Sequence, residues 1–485
     1  MNIPEVDIFS VLPVVVLSIF GIAIMVLEPF LSAKSRANSS ALGWLAFAGT
    51  LFAGAAIVPM HGHPGQAYSN LWIVDGFSTF FHALFIFIAA MTTLISIDYL
   101  RRENMNHAEY YALLLFATAG MLVMAGSNEL MMIFIGLEIL SIGTYVMAGF
   151  RRTDLRSNES ALKYFLLGSF ASAFFLYGVA LIFGAAGSTN LISISAAMTR
   201  PDIQLGLVYL SAALILVALC FKVAVAPFHI WAPDVYEGAP TPITGFMSVG
   251  PKAAGFAVLF RIFVTAFPLI QDRWIEIVGV LAALTMILGN VIAVVQPNLK
   301  RMLAYSSIAH AGYIAVAFTA NSNRGGSAAL FYTLAYAAMS LGAFAIVTML
   351  GRSQDAKVKL TDYAGLGSKR PGLAALLSLF LLSLAGVPGT AGFAGKFFIF
   401  RSAVESNLTS LAIVGVLTTV VSFYYYLYVI VQMYMREPGE DFSDARLTPA
   451  LAFALLIAAA ATLYLGILPG RVLESTAAAA LHVLR

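Results

Sequence analysis

Four lysines of this chain lie inside stretches otherwise apolar enough to cross a membrane: Lys163, Lys222, Lys252 and Lys396. One carboxylate, Glu138, lies in another. An ammonium at bilayer depth costs about 2.5–3.5 kcal/mol on insertion scales, so an ionisable residue placed there is a functional candidate by default. Burial disfavours the charged form of lysine and a nearby carboxylate restores it. Two unit charges 4 Å apart interact by about 4 kcal/mol at an effective dielectric near 20. That equals roughly three pKa units, enough to load and unload a proton as a pair closes and separates. Glu138 pairing with Lys222 would work in this way. Lys163, His82, His229 and His310 could relay protons between such groups. The plainer roles are structural. Lys163, three residues inside its span, can reach the interface, whereas Lys252, eleven and twelve residues from the two ends of its span, cannot.

The elements that must hold these residues are membrane helices. The chain has 485 residues, 60% hydrophobic and 11% charged, against about 25% charged in a soluble domain. Apolar runs of about 20 residues, the length needed to cross a ~30 Å hydrocarbon core, recur from end to end. Fourteen spans are expected, near 8–30, 41–60, 73–97, 109–126, 129–150, 160–186, 205–230, 241–264, 275–295, 301–320, 326–350, 372–400, 409–434 and 448–469. The start has no basic region, so the first run reads as a retained span. The lone cysteine, Cys220, excludes an internal disulfide and a cluster held by several thiolates of this chain. No dinucleotide fingerprint is present. The run Gly389–Lys396 fails as a phosphate loop because Thr390 and Phe397 stand where glycine and a hydroxyl residue are needed. His61 and His63 lack a third metal ligand nearby in sequence. No metal site and no nucleic-acid partner are expected.

Charge orients the spans. Of 27 lysines and arginines, sixteen lie in connections after odd-numbered spans, seven on the opposite side, and four are the buried lysines. The basic side faces the cytoplasm. Both termini are then expected outside a bacterial inner membrane, and the short tail 471–485 along its surface.

Residues 161–178 and 329–346 resemble one another at a separation of 168, and Pro227 and Pro388 lie 161 apart in spans seven and twelve. Both coincidences relate spans five apart, which forces opposite orientations. The expected fold is an all-α polytopic membrane protein with two inverted five-helix repeats, spans 4–8 and 9–13, and spans 7 and 12 broken at proline. The expected divisions are 1–108 (three helices), 109–264 (first repeat), 265–435 (second repeat) and 436–485 (last helix and tail).

Three motifs carry a family resemblance: F-H-I-W-A-P-D-V-Y-E-G-A-P at 228–240, Q-P-N-L-K-R-M-L-A-Y-S-S-I-A-H-A-G-Y at 296–313, and S-L-A-G-V-P-G-T-A-G-F-A-G-K-F-F-I-F at 383–400. With fourteen spans they resemble the antiporter-like membrane subunits of proton-pumping NADH–quinone oxidoreductase, complex I. The W-x-P-D-V-Y run and Lys396 are similar in particular to its subunit N branch. The resemblance implies that Glu138, Lys222, Lys252 and Lys396 match the family's buried charge axis and translocate protons. It implies no cofactor in this chain, with flavin, iron–sulfur clusters and quinone handled by partner subunits. It implies partners among the other membrane subunits of complex I, further antiporter-like subunits included, within the lipid bilayer. Two other readings share these features: a cation/proton antiporter subunit without redox partners, and a mainly structural membrane-arm subunit.

Overall fold

The computed structural model describes residues 7–31, 40–351, 355–439, 442 and 447–484. Nineteen α-helices lie among them. They are α1 Leu12–Leu27, α2 Ala41–His61, α3 Gly76–Arg102, α4 Ala108–Gly126, α5 Leu130–Ala148, α6 Leu155–Ala186, α7 Leu191–Ala197, α8 Leu205–Val223, α9 Trp231–Gly238 and α10 Thr241–Ala266. The remainder are α11 Gln271–Val294, α12 Leu299–Thr319, α13 Asn323–Leu350, α14 Leu366–Lys369, α15 Pro371–Ala385, α16 Ala391–Glu405, α17 Thr409–Met435, α18 Pro449–Ile467 and α19 Gly470–Leu484. A two-stranded hairpin, β1 Gly65–Ala67 and β2 Trp72–Val74, precedes α3. Among the described residues, thirteen helices are long and apolar enough to cross a membrane. The remaining expected span, the twelfth in order, near 372–400, falls on the two shorter helices α15 and α16.

Burial ranks the helices. In α10, α12 and α13, 94% of the most apolar window is buried, against 28% in α1 and 33% in α6 and α17. The first three form the centre of the bundle. The others turn Ile19, Ile22, Phe170, Val416 and Val420 outward, as a lipid-facing surface requires.

Both proline-bearing spans are interrupted rather than merely kinked. α8 ends at Val223, its C-cap Ala224 has φ 58°, and Pro227 lies in the link to α9. α15 ends at Ala385, its C-cap Gly386 has φ 97°, and Pro388 lies in the link to α16. Span seven therefore stops seven residues short of its expected end at 230. Backbone groups freed by a break in lipid must find partners within the protein. Ala226 N–H donates to Thr285 Oγ1 at 2.9 Å, and Gly392 N–H to Ser383 Oγ at 3.1 Å.

An internal repeat is visible in the backbone hydrogen bonds. Leu130 N–H donates to Thr189 C=O and Leu191 N–H to Asn128 C=O; Leu299 N–H donates to Val358 C=O and Leu360 N–H to Pro297 C=O. Each member of the second set lies 169 residues after its counterpart in the first, as do the isolated bridges Glu129↔Asn190 and Asn298↔Lys359. Close helix packing repeats too. A Cβ on Gly120 would meet Gly136 O and Leu140 N at 2.7 Å, while one on Gly289 would meet Tyr305 O at 3.0 Å and Ala309 N at 2.7 Å. The register is one residue longer than the sequence comparison of α6 with α13 gives. Five candidate membrane spans lie between equivalent points of the two copies.

The tail forms α19, a full helix packed on α13 and α3. Its Thr476 Oγ1 lies 3.0 Å from Ser327 Oγ. It is thus packed against the bundle.

Candidate functional site

Three of the four lysines are buried. Lys222, Lys252 and Lys396 are 4%, 3% and 4% exposed, the first in the last turn of α8 and the others within α10 and α16. Each ammonium is held by neutral oxygens and an aromatic face. Lys222 Nζ donates to Ser141 Oγ at 2.8 Å and lies 5.6 Å from the Tyr164 ring centroid. Lys252 Nζ donates to Ser307 O at 2.8 Å and Ser307 Oγ at 2.5 Å, with Tyr236 beneath it. Lys396 Nζ donates to Leu384 O at 3.1 Å and Ala385 O at 3.0 Å, and lies 4.8 Å over Tyr313. It therefore caps the carbonyl end of broken helix α15, where a cation is favoured.

Glu138 does not form the expected contact pair with Lys222. Its Oε1 accepts from Ser172 Oγ on α6, while Lys222 is bound to Ser141, one turn along α5. The two charges still act on each other through space. The repeat explains the arrangement. At the 169-residue offset, Glu138 corresponds to Ser307 and Ser141 to His310. The positions that hold Lys222's surroundings in the first copy thus hold those of Lys252 and Lys396 in the second.

The histidines separate clearly. His310 is 2% exposed and senses the charges of both Lys252 and Lys396. Its Nδ1 lies 2.6 Å from Tyr332 Oη and its Nε2 3.2 Å from Tyr426 Oη. His229, in the link after α8, senses Lys252, and its buried Nδ1 has no hydrogen-bond partner among the described residues. His82 stands apart. It is held by Leu122 O at 2.9 Å and Met60 Sδ at 3.2 Å, and the charges near it are Asp75 and Arg261, not the lysines. Lys163 is also elsewhere. Its side chain is 40% exposed and pairs with Glu159 and Asp234, each at 2.7 Å. Asp234 also binds Arg301 at 2.7 Å, tying α6, α9 and α12 together at one end of the bundle.

Other buried charges have no obvious sequence signal. Asp75, the N-cap of α3, makes a two-point pair with Arg261, Nη1 to Oδ2 at 2.9 Å and Nη2 to Oδ1 at 3.0 Å. Burial opposes the Asp75 carboxylate, but the Arg261 guanidinium and hydrogen bonds from Ser78 outweigh it and hold its pKa below the usual value. Lys300 counts as a connection residue in the sequence, yet it is 1% exposed, donates to Ala239 O at 2.6 Å and lies 3.7 Å from Asp355. Its place at the start of α12, two turns before Ser307, is the one feature that could have singled it out.

Comparison with known proteins narrows what such an array belongs to. Residues 127–422 match the family described as NADH:quinone oxidoreductase/Mrp antiporter, TM. NADH-quinone oxidoreductase subunit N 1 of Solibacter usitatus is 49% identical over 469 residues, 96% of each chain. NADH-quinone oxidoreductase subunit N of Trichlorobacter lovleyi is 45% identical over 469 residues, covering 96% of this chain and 95% of that one. A chain of respiratory complex I from Thermus thermophilus superposes with a TM-score of 0.82 at 36% identity, over 96% of this chain and 99% of that one. A chain of the Mrp complex from Dietzia sp. DQ12-45-1b superposes at 0.86 with 22% identity, covering 99% of this chain and 98% of that one, which establishes the shared fold alone.

Proposed function

Because the chain belongs to the antiporter-like membrane subunits of NADH–quinone oxidoreductase, with subunit N proteins as its 45–49% identical relatives, we propose that its buried cations form the path along which it moves protons. The chain is a multi-span membrane-arm subunit of that proton-translocating enzyme, and the other membrane subunits are its partners. Lys222, Lys252 and Lys396 are the proton carriers. Glu138 sets the charge of Lys222, His229 and His310 are relays beside Lys252, and His310 continues to Lys396. Lys163 belongs to the Asp234–Arg301 brace and His82 to the packing of α3 on α4. The observation that carries this reading is His310, which lies within electrostatic reach of both Lys252 and Lys396 and has each ring nitrogen on a tyrosine hydroxyl. A titratable ring placed between two carriers can take a proton from one and give it to the other.

Orientation and cofactors follow the same reading. The basic connections face the cytoplasm of a bacterial inner membrane and both termini face outward. Residues 109–264 and 265–435 act as the two inverted halves, flanked by 1–108 and 436–485. Redox chemistry resides in partner subunits that carry flavin, iron–sulfur clusters and quinone. The test is purification with partners, then reconstitution and proton uptake during NADH oxidation, with Lys222→Ala, Lys252→Met and Lys396→Ala compared with wild type. Lower proton-to-NADH ratios in assembled complexes support the assignment. Unchanged ratios in all three refute it and favour a structural role.

A further inference from the structure

We propose that Lys300, with Asp355 as its counter-charge, takes up protons at one end of the bundle and feeds them to Lys252; this rests on Lys252 being a carrier. Five segments far apart in sequence meet at this point. Tyr99 Oη donates to Asp355 Oδ2 at 3.0 Å and accepts from Arg151 Nη2 at 2.7 Å. Arg151 Nη2 lies 3.4 Å from Glu103 Oε2 and 3.5 Å from Asp355 Oδ2. Lys300 Nζ, at 3.7 Å, and the Thr241 N–H, at 3.3 Å, share that oxygen. The network has an open side. Glu103 and Arg151 line a cleft of about 360 Å³ together with His107, Arg152 and Thr153. All these groups belong to the basic connections, which the charge bias places inside.

The network has a closed side as well, and a polar stripe leads from it. Thr241, Thr244, Ser248 and Lys252 follow at three- and four-residue steps on one face of α10. The three hydroxyl residues are fully buried. Ser248 Oγ lies 3.1 Å from Ser340 Oγ, Ser307 Oγ reaches Ser248 O at 3.4 Å, and Lys252 Nζ donates to that same Ser307 Oγ. Lys300 and Ser307 share a face of α12, two turns apart. At the head of the stripe two buried oxygens, Asp355 Oδ1 and Thr241 Oγ1, have no hydrogen-bond partner among the described residues. Buried polar groups are rarely left so, and unpartnered buried oxygens are the groups that a bridging water binds.

The transfer balances in charge. The Lys300 ammonium gives one N–H proton to the hydroxyl stripe, whose far end delivers one proton to the Lys252 amine. Lys252 becomes an ammonium and Lys300 a neutral amine. Asp355 then faces Arg151 but no longer a second cation, so its carboxylate accepts one proton, brought from the aqueous side as a hydronium ion that leaves as water through the cleft. Passing that proton to the Lys300 amine restores both charges. The other charges facing Lys300, Glu237 and Arg156, keep theirs throughout.

Lys300→Arg separates this role from a structural one. Arginine keeps the charge, the Asp355 pair and a donor for Ala239 O, but releases its proton far less readily. In assembled complex, reconstituted or in inverted vesicles, the proton-to-NADH ratio of Lys300→Arg should fall to that of Lys252→Met. Asp355→Asn should fall likewise and Asp355→Glu should recover most of the wild-type ratio. A wild-type ratio in Lys300→Arg, with a lowered ratio in Lys252→Met, overturns the uptake role and leaves the axis intact. An unchanged ratio in Lys252→Met overturns both.

Discussion

Lys252→Arg tests the axis at its centre. The ammonium is 3% exposed and uses Ser307 O and Oγ as acceptors, with the Tyr236 ring 5.9 Å away. Arginine can retain a charge at this point, donate to both oxygens and stack on the ring. A structural or purely electrostatic role therefore survives the substitution. A carrier role does not. A free guanidinium holds its proton about 2–3 pKa units more tightly than a free ammonium, or about 3–4 kcal/mol at 1.36 kcal/mol per unit. At tenfold in rate per 1.36 kcal/mol, proton release slows roughly 100- to 1,000-fold. Enzyme turnover is commonly about 10 s⁻¹, so a step slowed that far leaves most cycles without a proton from this subunit. The assay is proton uptake per NADH oxidised in proteoliposomes of assembled complex. A proton ionophore then distinguishes slowed electron transfer from lost coupling. The ratio should fall while quinone reduction in the presence of ionophore is retained. Equal ratios in Lys252→Arg and wild type would refute the reasoning, because no proton would then have to leave this residue.

Three further outcomes are expected. Glu138→Gln and Lys222→Ala should each lower pumping, and Ser141→Ala should lower it less, since Ser141 Oγ is the direct partner of Lys222 Nζ; wild-type pumping in Glu138→Gln would remove the carboxylate from the axis. Asp75→Ala should destabilise the assembled subunit by about 3–5 kcal/mol by leaving Arg261 buried without its partner, read as faster thermal inactivation, and Asp75→Leu with Arg261→Met should recover most of the loss. The depressed Asp75 pKa makes this contribution fully present above the ordinary aspartate value and lost only as pH falls through the folded value, so inactivation rates unaffected by acid above pH 5 are expected. Ser368→Cys in a Cys220→Ala background should resist an impermeant thiol reagent in intact cells and react in inverted vesicles; the reverse pattern would invert the proposed topology.

The membrane class, the span order and the three buried lysines were legible because each is a local property. A run of apolar residues and a cation within it can be read without knowing what lies beside them. Lys163 shows the limit of that reading. Its sequence context resembles that of Lys222, but its side chain bends to Glu159 and Asp234 at a polar end. The failed Glu138–Lys222 contact has a similar cause. Helical spacing places Glu138 and Ser141 one turn apart, and which of them meets Lys222 depends on how α5 and α8 are displaced along their axes. Asp75–Arg261 and Lys300–Asp355 join connections remote in sequence, so no periodicity announces them. Pro227 and Pro388 marked the broken spans correctly. That the helices would stop at Val223 and Ala385 required the left-handed caps at Ala224 and Gly386.

The inverted repeat also accounts for which charges have no counterpart. Lys300 and Asp355 correspond, at the offset of the repeated hydrogen bonds, to Met131 and Ala186. The backbone frame around the two sites is the same, bridge for bridge. Only the chemistry differs: an ion pair in the second copy, and in the first a methionine 39% exposed beside a small apolar residue. Inversion supplies the reason. In the inverted arrangement proposed above, equivalent ends of the two copies face opposite sides of the membrane, so a device for taking protons from one side is useful at only one of them. On the proposed orientation the Lys300 end faces inward, where protons enter, and the Met131 end outward, where an uptake lysine would compete with release. Placing the lysine at both ends would load the path from both sides and cancel net transport. Converting Met131 to lysine with Ala186→Asp should therefore lower the proton-to-NADH ratio without blocking assembly. A ratio equal to wild type would mean that the asymmetry of the two copies is unrelated to the direction of pumping.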